Sequence, residues 1–153
     1  MTFELTTGMV LSVDGYRFRV TEQNTYHEID LRIDMAHIAG ATPAHERVLL
    51  ALQPEAAIFI LQRFQHNWMA QPDSAMLHDG EMFTCVYRGA AHSTRKARAG
   101  KRESKAEYVF LRSDSGRVIF TIAKDDEMTA YLGVSLPPQA VLHNGKPVGK
   151  ASV

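Results

Sequence analysis

The sequence predicts a mainly β protein, or an α+β protein with few helices, whose antiparallel hairpins and meanders form a small barrel or sandwich. Two patterns indicate this fold class. Asp14-Gly15 lies between Met9–Val13 and Tyr16–Val20; Asp-Gly suits the positive φ angles of a type I′ turn, and both flanks are rich in β-forming residues. Residues 27–35 alternate strictly between polar and apolar side chains, which is the period of a half-buried strand.

Each of these segments has a predicted inner face. In the strand after the first turn, the apolar residues Tyr16, Phe18 and Val20 alternate with Arg17 and Arg19. In the next strand, the residues expected toward the core are Ile29, Leu31, Ile33 and Met35. Those expected toward solvent are Glu28, Asp30, Arg32 and Asp34. A solvent-exposed strand face explains the carboxylates of Glu28, Asp30 and Asp34 better than a metal site does, because Asp34 would lie about 13 Å from Asp30.

The segment 46–65 allows two interpretations. Its apolar residues are too continuous to select a period, and Pro54 interrupts them. Two strands, Arg47–Gln53 and Ala57–Phe64, are the favoured prediction. The alternative is a helix that begins at Pro54 and places Ile58 and Leu61 on one face.

The second half of the chain also predicts short β-strands joined by turns. We expect strands at 81–88, 106–112 and 117–123, with a turn at 113–116. Asp125 is a candidate N-cap for one short helix near 125–132. Asn144-Gly145 predicts a last small hairpin, within a partly ordered tail at 138–153. A loose likeness between 8–35 and 80–123 fits either a duplication or the echo common to antiparallel proteins.

Composition narrows the class of protein. A chain of 153 residues with 45% hydrophobic residues fits a single domain over 1–153. Seventeen basic and seventeen acidic residues balance, so the molecule as a whole is not a polycation. Cys85 is the only cysteine, which excludes an internal disulfide and fits a reducing compartment. With no leader pattern and no apolar run long enough to span a membrane, we expect a cytoplasmic protein.

Basic residues concentrate in one stretch, 88–105. Its seven cations are Arg88, Arg95, Lys96, Arg98, Lys101, Arg102 and Lys105, and its one acid is Glu103. Because residues 91–105 contain almost nothing large and apolar, they predict a mobile basic loop. Such a loop could bind phosphates of nucleic acid or of anionic lipid headgroups by counterion release, or could be a solvated or partner-contacting loop. It contains no aromatic residue, which weakens recognition of single strands.

Catalytic and metal-binding signals are weak. Pro72-Asp73 and Glu103-Ser-Lys105 match the letters of the PD…ExK nuclease pattern, but both halves lie in polar, loop-like sequence. The seven histidines lack zinc-ligand spacing, and Cys85 lies in an apolar strand, where a thiol is inert. We therefore predict no catalytic residues, no metal and no cofactor, and a binding protein rather than an enzyme.

An aromatic pair offers a second candidate contact. Trp68 lies near Phe64, with several methionines around them. The residues fit core packing. An exposed Trp68 beside Phe64 would instead anchor a protein partner.

Several segments together suggest a family. They are Leu5–Leu11, Tyr16–Val20, the Glu28 strand, Gly80–Ala90, Ala106–Tyr108, Arg117–Ala123 and Asp126–Gly133. The pattern resembles the bacterial domain-of-unknown-function family four-one-seven-eight, over roughly residues 5–136. The chain departs from it in its basic stretch and in lacking a tryptophan before the Glu28 strand. The resemblance implies a β-rich bacterial domain, encoded near membrane-stress proteins, with no catalytic residues to carry over.

Two functional hypotheses follow. The first, implied by the resemblance, is a non-enzymatic accessory domain that binds a protein partner in a membrane-stress context. The second is a module that binds nucleic acid or phosphate through the basic stretch 88–105.

Overall fold

The structure is a computed structural model that describes the backbone of residues 1–97 and 100–151, and the side chains of these residues outside 94–103. The described residues form twelve strands and two 3-10 turns, Pro43–His45 and Pro138–Ala140. The strands are β1 Val10–Val13, β2 Tyr16–Glu28, β3 Leu31–Ala39, β4 Glu46–Gln53, β5 Ile58–Phe64, β6 Ala75–His78, β7 Glu81–Ala97, β8 Gly100–Ser113, β9 Val118–Lys124, β10 Glu127–Leu136, β11 Val141–His143 and β12 Lys146–Pro147. The predicted mainly β fold of antiparallel hairpins is confirmed.

The chain divides into two compact units, and the single domain expected over 1–153 stays a prediction. The first unit comprises Met1–Gln62 and Ser135–Val153, and the second comprises Arg63–Val134. In the first, antiparallel strands follow the order β12-β11-β1-β2-β3-β4-β5. In the second, the order is β10-β9-β8-β7-β6.

Each unit has an apolar cluster of its own. In the first unit the N-terminal residues Met1, Phe3 and Leu5 are buried together with side chains of β1 to β5. In the second unit the cluster consists of Phe83, Val109, Leu111 and Ile119, and Phe64 and Trp68 pack against it. The two aromatic residues singled out from the sequence therefore contribute to packing.

Two-residue turns with positive φ connect many of the hairpins. Asp14-Gly15, Asp79-Gly80 and Asn144-Gly145 have φ angles of 51° and 85°, 50° and 75°, and 51° and 77°. These are the angles that a type I′ turn needs, and Asp, Asn and Gly adopt them most easily. The hairpin predicted around Asn144-Gly145 is confirmed, since His143 pairs with Lys146.

The short helix predicted near 125–132 is wrong. Asp125 and Asp126 have φ angles of 52° and 62°, so both belong to a hairpin turn. The following residues form β10, which pairs with β9 from Glu127↔Lys124 to Gly133↔Val118. Asp is a good N-cap and also tolerates the left-handed region, and here the second property decides the structure.

The inner face of β3 also differs from the prediction. Ile29 is 90% exposed because it lies with Asp30, at φ 63°, in the turn before the strand. From Ile33 to Ala36 every residue is buried, so both faces of the strand are covered there. Asp34, expected in solvent, is completely buried. In β2, the expected apolar face holds for Val20 but not for Tyr16, which is exposed beside the turn.

The buried Asp34 carboxylate accepts three hydrogen bonds. Its carboxylate accepts hydrogen bonds from the Phe3 backbone N–H at 3.1 Å, from Thr25 Oγ1 at 2.8 Å and from Arg32 Nε at 3.1 Å. Burial of an ionised group is costly unless it is paired and hydrogen-bonded. Asp34 therefore ties β2, β3 and the N-terminal segment together.

The two predicted strands within 46–65 are confirmed as β4 and β5, and the alternative helix from Pro54 is wrong. They pair from Val48↔Leu61 to Ala51↔Ile58. Leu49 and Leu50 are both completely buried, although they point to opposite faces. Burial on both faces explains why the sequence showed no clear period.

The predicted loop at 91–105 is also wrong for residues 91–97 and 100–105, which belong to the β7–β8 hairpin. Ala91 pairs with Ala106 and Ser93 with Ser104, and Ser93 Oγ lies 2.7 Å from Ser104 Oγ. Alanine and serine bring little apolar area, which is why composition predicted a loop. A β-bulge interrupts the register of β7 between Cys85 and Tyr87.

The tail is more ordered than predicted. Val13 pairs with Val141 in β11, and the backbone N–H of Lys150 donates to the Thr2 carbonyl at 2.8 Å. Through residue 151 the tail thus belongs to the first unit, and residues 152–153 lie outside the described part.

Candidate functional site

At the far end of the β7–β8 hairpin, the backbone register pairs residues of like charge. We call residues 92–97 and 100–105 the basic arm. Its backbone register places Arg95 directly opposite Arg102 and Lys96 directly opposite Lys101, while Glu103 lies opposite the neutral Thr94. Like charges directly opposite each other in a sheet are destabilising. The register of the arm therefore contains two adjacent pairs of like-charged residues.

The other predicted phosphate-binding residues lie along the same hairpin. Arg88 and Lys105 are exposed. The Arg88 guanidinium donates through Nη2 to the Pro72 carbonyl at 2.8 Å. Arg98 lies outside the described residues.

Exposure alternates along the hairpin, which gives it two distinct faces. His92 and Lys105 are exposed and lie opposite each other, whereas Ala91, Ser93 and Ala106 are buried. Because alternate residues share a face, Arg88 belongs to the face of His92. We call this side the exposed face of the hairpin.

An aromatic pocket lies in the same unit, where β5 leads into the connecting segment 65–74. Its lining side chains are Phe64, Gln65, His66, Asn67, Trp68 and His78, and its volume is ≈ 340 Å³. The His66 and Trp68 rings are stacked, with centroids 5.1 Å apart and 29° between their planes. Phe64 meets Trp68 edge-on at 5.7 Å and lies 4.9 Å from the His78 ring.

His66 has an unusual hydrogen-bonding pattern. Its Nε2 lies 3.1 Å from the Met128 carbonyl oxygen, and a carbonyl only accepts, so Nε2 carries a proton. Its Nδ1 is shielded from solvent and has no hydrogen-bond partner among the described residues. In the neutral ring Nδ1 is therefore an acceptor without a donor, which is uncommon for a buried polar atom.

The connecting segment links the pocket to the exposed face of the hairpin. Gln71 Nε2 donates to the Glu107 carbonyl at 3.0 Å, and Gln71 Oε1 accepts from Thr121. Trp68 packs on the cluster that contains Val109, and Val109 lies opposite Arg88. Directly opposed residues share a face, so the pocket and Arg88 are on the same side of the sheet.

The predicted contact residues Phe64 and Trp68 lie against each other, and both are partly buried. Sequence reasoning missed His66 and His78, although Phe64, His66 and Trp68 alternate along the chain, a spacing that places them on one side of an extended segment.

The remaining sequence signals do not assemble into a centre. Asp73 is exposed in the connecting segment, and Glu103 lies in β8 rather than in a loop, with its side chain outside the described set. Cys85 is half buried, and its Sγ lies 3.6 Å from the Tyr87 carbonyl. Among the side chains that the structure describes, no group of three or more His, Cys, Asp or Glu is arranged to hold a metal.

Comparisons with protein-family models, with curated proteins and with solved structures find no match for the chain. The family suggested by the sequence pattern therefore stays a prediction. Within the described residues, no helix has the length and apolar character required to cross a membrane.

Proposed function

We propose that this protein is a binding module for nucleic acid and that the basic arm is its phosphate contact. The observation that carries the proposal is the register of the arm, which sets Arg95 against Arg102 and Lys96 against Lys101. All four residues carry positive charge at neutral pH. A polyanion that binds them gains entropy by releasing its counterions.

The charge distribution of the chain supports the same proposal. The 17 basic and 17 acidic residues balance overall, yet the stretch 88–105 holds seven cations and one acid. The rest of the chain then has 17 − 7 = 10 basic and 17 − 1 = 16 acidic residues. An acidic remainder repels nucleic acid and directs it to the arm.

Composition favours nucleic acid over a lipid surface. The basic arm contains no large apolar side chain. Proteins that lie on membranes combine cations with apolar residues that enter the headgroup region, and their affinity grows with the buried apolar area. The arm offers only the electrostatic part of that interaction.

The test is a salt titration of binding to a fluorescent single-stranded oligonucleotide and to a duplex. The variant Lys101→Ala/Arg102→Ala removes one cation from each rung. It should lower the slope of log affinity against log salt by about 1.5, since each phosphate contact contributes about 0.7–0.9. The matched control is Arg17→Ala/Lys146→Ala, which removes one exposed arginine and one exposed lysine from the first unit.

Three outcomes would contradict the proposal. They are absence of salt-dependent binding by the unaltered protein, equal losses in the two double variants, and binding to anionic vesicles without binding to either nucleic acid. An unchanged slope in the control and a reduced slope in the arm variant would support it.

A separate observation favours the protein-partner hypothesis. Leu77 and Met82 lie directly opposite each other on β6 and β7, and they are 65% and 54% exposed. Apolar pairs of this kind are common at the centres of interfaces. The variant Leu77→Ser/Met82→Ser should abolish cross-linking to a specific partner in native lysate, while Val134→Ser, on another exposed apolar residue, should not.

A further inference from the structure

We infer that the aromatic pocket is a base-binding subsite, so that the nucleic acid bound by the basic arm is single-stranded. This inference rests on the proposed function and specifies its substrate class. The residues that carry it are Phe64, His66 and Trp68, together with Arg88 on the neighbouring strand.

The pocket has the shape and chemistry for a planar heterocycle. At ≈ 340 Å³ it falls within the range of about 300–1,000 Å³ that is typical of small-ligand sites. Trp68 and His66 present stacked rings, and Trp68 stays half exposed. Stacking of bases on aromatic side chains is the main sequence-independent contact that proteins make with single strands.

His66 adds a polar atom that no described residue of the chain contacts by a hydrogen bond. Its Nε2 is held by the Met128 carbonyl, which fixes the ring and leaves Nδ1 as an acceptor. The exocyclic amino groups and ring N–H groups of bases are donors of the kind that such an acceptor lacks.

The path from the pocket to the arm is short and carries the exposed cations Arg88 and Lys105. Arg88 is anchored to Pro72 in the connecting segment, and His92 and Lys105 follow on the same face. Arg88 and His92 are four residues apart, about 13 Å along a strand. The exposed acid Glu107, opposite Ala90, is the intervening negative charge on this part of the described face.

The aromatic rings needed for stacking come from outside the basic stretch. The basic stretch has no aromatic residue, which weakened recognition of single strands. The structure supplies the aromatic rings from a different segment and places them on the same side of the sheet as Arg88. Phosphate contacts and base stacking are thus separated in sequence and adjacent in space.

Trp68 provides a direct readout, because it is the only tryptophan in the chain. Binding of a single-stranded oligonucleotide should quench its fluorescence. An abasic oligonucleotide of the same length should bind about 10-fold more weakly, since one stacked base contributes at about this level, and should leave the fluorescence unchanged. A fully paired duplex should bind without quenching.

Two variants complete the test. Trp68→Ala should bring the affinity for the normal single strand down to that for the abasic one, and its affinity for the abasic strand should stay unchanged, which shows that the variant is folded. Met69→Ala is the matched control, because Met69 is the completely exposed neighbour and does not line the pocket. His66→Phe keeps an aromatic ring but removes Nδ1 together with the hydrogen bond from Nε2 to Met128, so it should retain quenching and lose part of the preference.

The results separate the two proposals. Equal affinity for normal and abasic strands, without quenching, would overturn the base subsite while the phosphate-binding function stands. Absence of salt-dependent binding to every oligonucleotide would overturn both.

Discussion

Two polar regions of this molecule are built in opposite ways. Around Asp34 in the first unit, one buried carboxylate is matched by three donors, from Phe3, Thr25 and Arg32. In the second unit, the basic arm sets arginine against arginine and lysine against lysine.

We interpret this difference as one between a structural region and a proposed binding region. A buried polar group whose partners all come from its own chain stabilises the fold. A buried polar atom without a partner, or a pair of like charges in register, needs another explanation. At the arm, and at His66 Nδ1, we propose that a nucleic acid is the missing partner.

The largest expected effect concerns the buried Asp34 carboxylate. Asp34→Ala leaves buried donors without an acceptor, so we expect the free energy of unfolding to fall by about 3 kcal/mol. Urea denaturation measures it. The control is Glu4→Ala, because the Glu4 side chain is 76% exposed and meets Arg32 only at 3.9 Å; its effect should stay below about 0.5 kcal/mol.

A smaller effect of opposite sign tests the functional side. Lys101→Glu/Arg102→Glu turns both like-charge rungs into opposite-charge rungs. Each pair should then add about 0.2–1 kcal/mol to the free energy of unfolding, while oligonucleotide binding is lost. A destabilised variant, or a stabilised variant that still binds, would contradict the proposal that the like-charged pairs cost stability and serve binding. Arg17→Glu/Lys146→Glu makes the same change of net charge elsewhere and should leave binding intact.

The smallest effect concerns the other end of the same hairpin, where charges are matched. Glu81, at the start of β7, accepts a hydrogen bond from Ser115 and forms an ion pair with Arg117 at 3.0 Å. The Ser115 hydrogen bond first, then those from Ser113 and Arg117, lower the pKa of Glu81 below its ordinary value.

Because the pKa is lowered in the folded state, Glu81 stabilises the protein above the ordinary carboxyl pKa. That contribution disappears as the pH falls through the lowered value. Glu81→Gln should therefore reduce the urea midpoint at about pH 7 and have less effect at about pH 3. Glu127→Gln, which removes an exposed acid at the start of β10, is the matched control for the change of net charge. Equal losses at both pH values would contradict the assignment.

Much of the fold follows from local signals in the sequence. Asp14-Gly15 and Asn144-Gly145 predicted their hairpins, and these turns need no tertiary information. The failures occur where tertiary context decides. Asp125-Asp126 reads equally as a helix cap and as a turn, and only the pairing of β9 with β10 selects the turn. Asp34 looks like a surface residue until Phe3 and Thr25 cover it.

The candidate site was predicted only in part. The basic residues and the Phe64–Trp68 pair were visible as composition and proximity in the sequence. Their spatial relation was not, because it depends on Gln71 and Pro72 reaching β8 and β7. The role of His66 was hidden for a similar reason, since its ring is held by Met128, 62 positions further along the chain.

The bulge between Cys85 and Tyr87 adds one residue to β7 and so changes which residue numbers face the apolar cluster. Before it, the odd-numbered Phe83 and Cys85 face the cluster, and after it the even-numbered Arg88 takes that side. Val86 is the extra residue and is itself exposed. Because Cys85 is already opposite Leu111 and Tyr87 is opposite Phe110, loss of Val86 would leave a regular ladder with the same partners and the same faces. Loss of a residue beyond the bulge, where the pairing is regular, would instead move the following residues of β7 to the other face, so β7 should tolerate a deletion at Val86 better than one at Ala90.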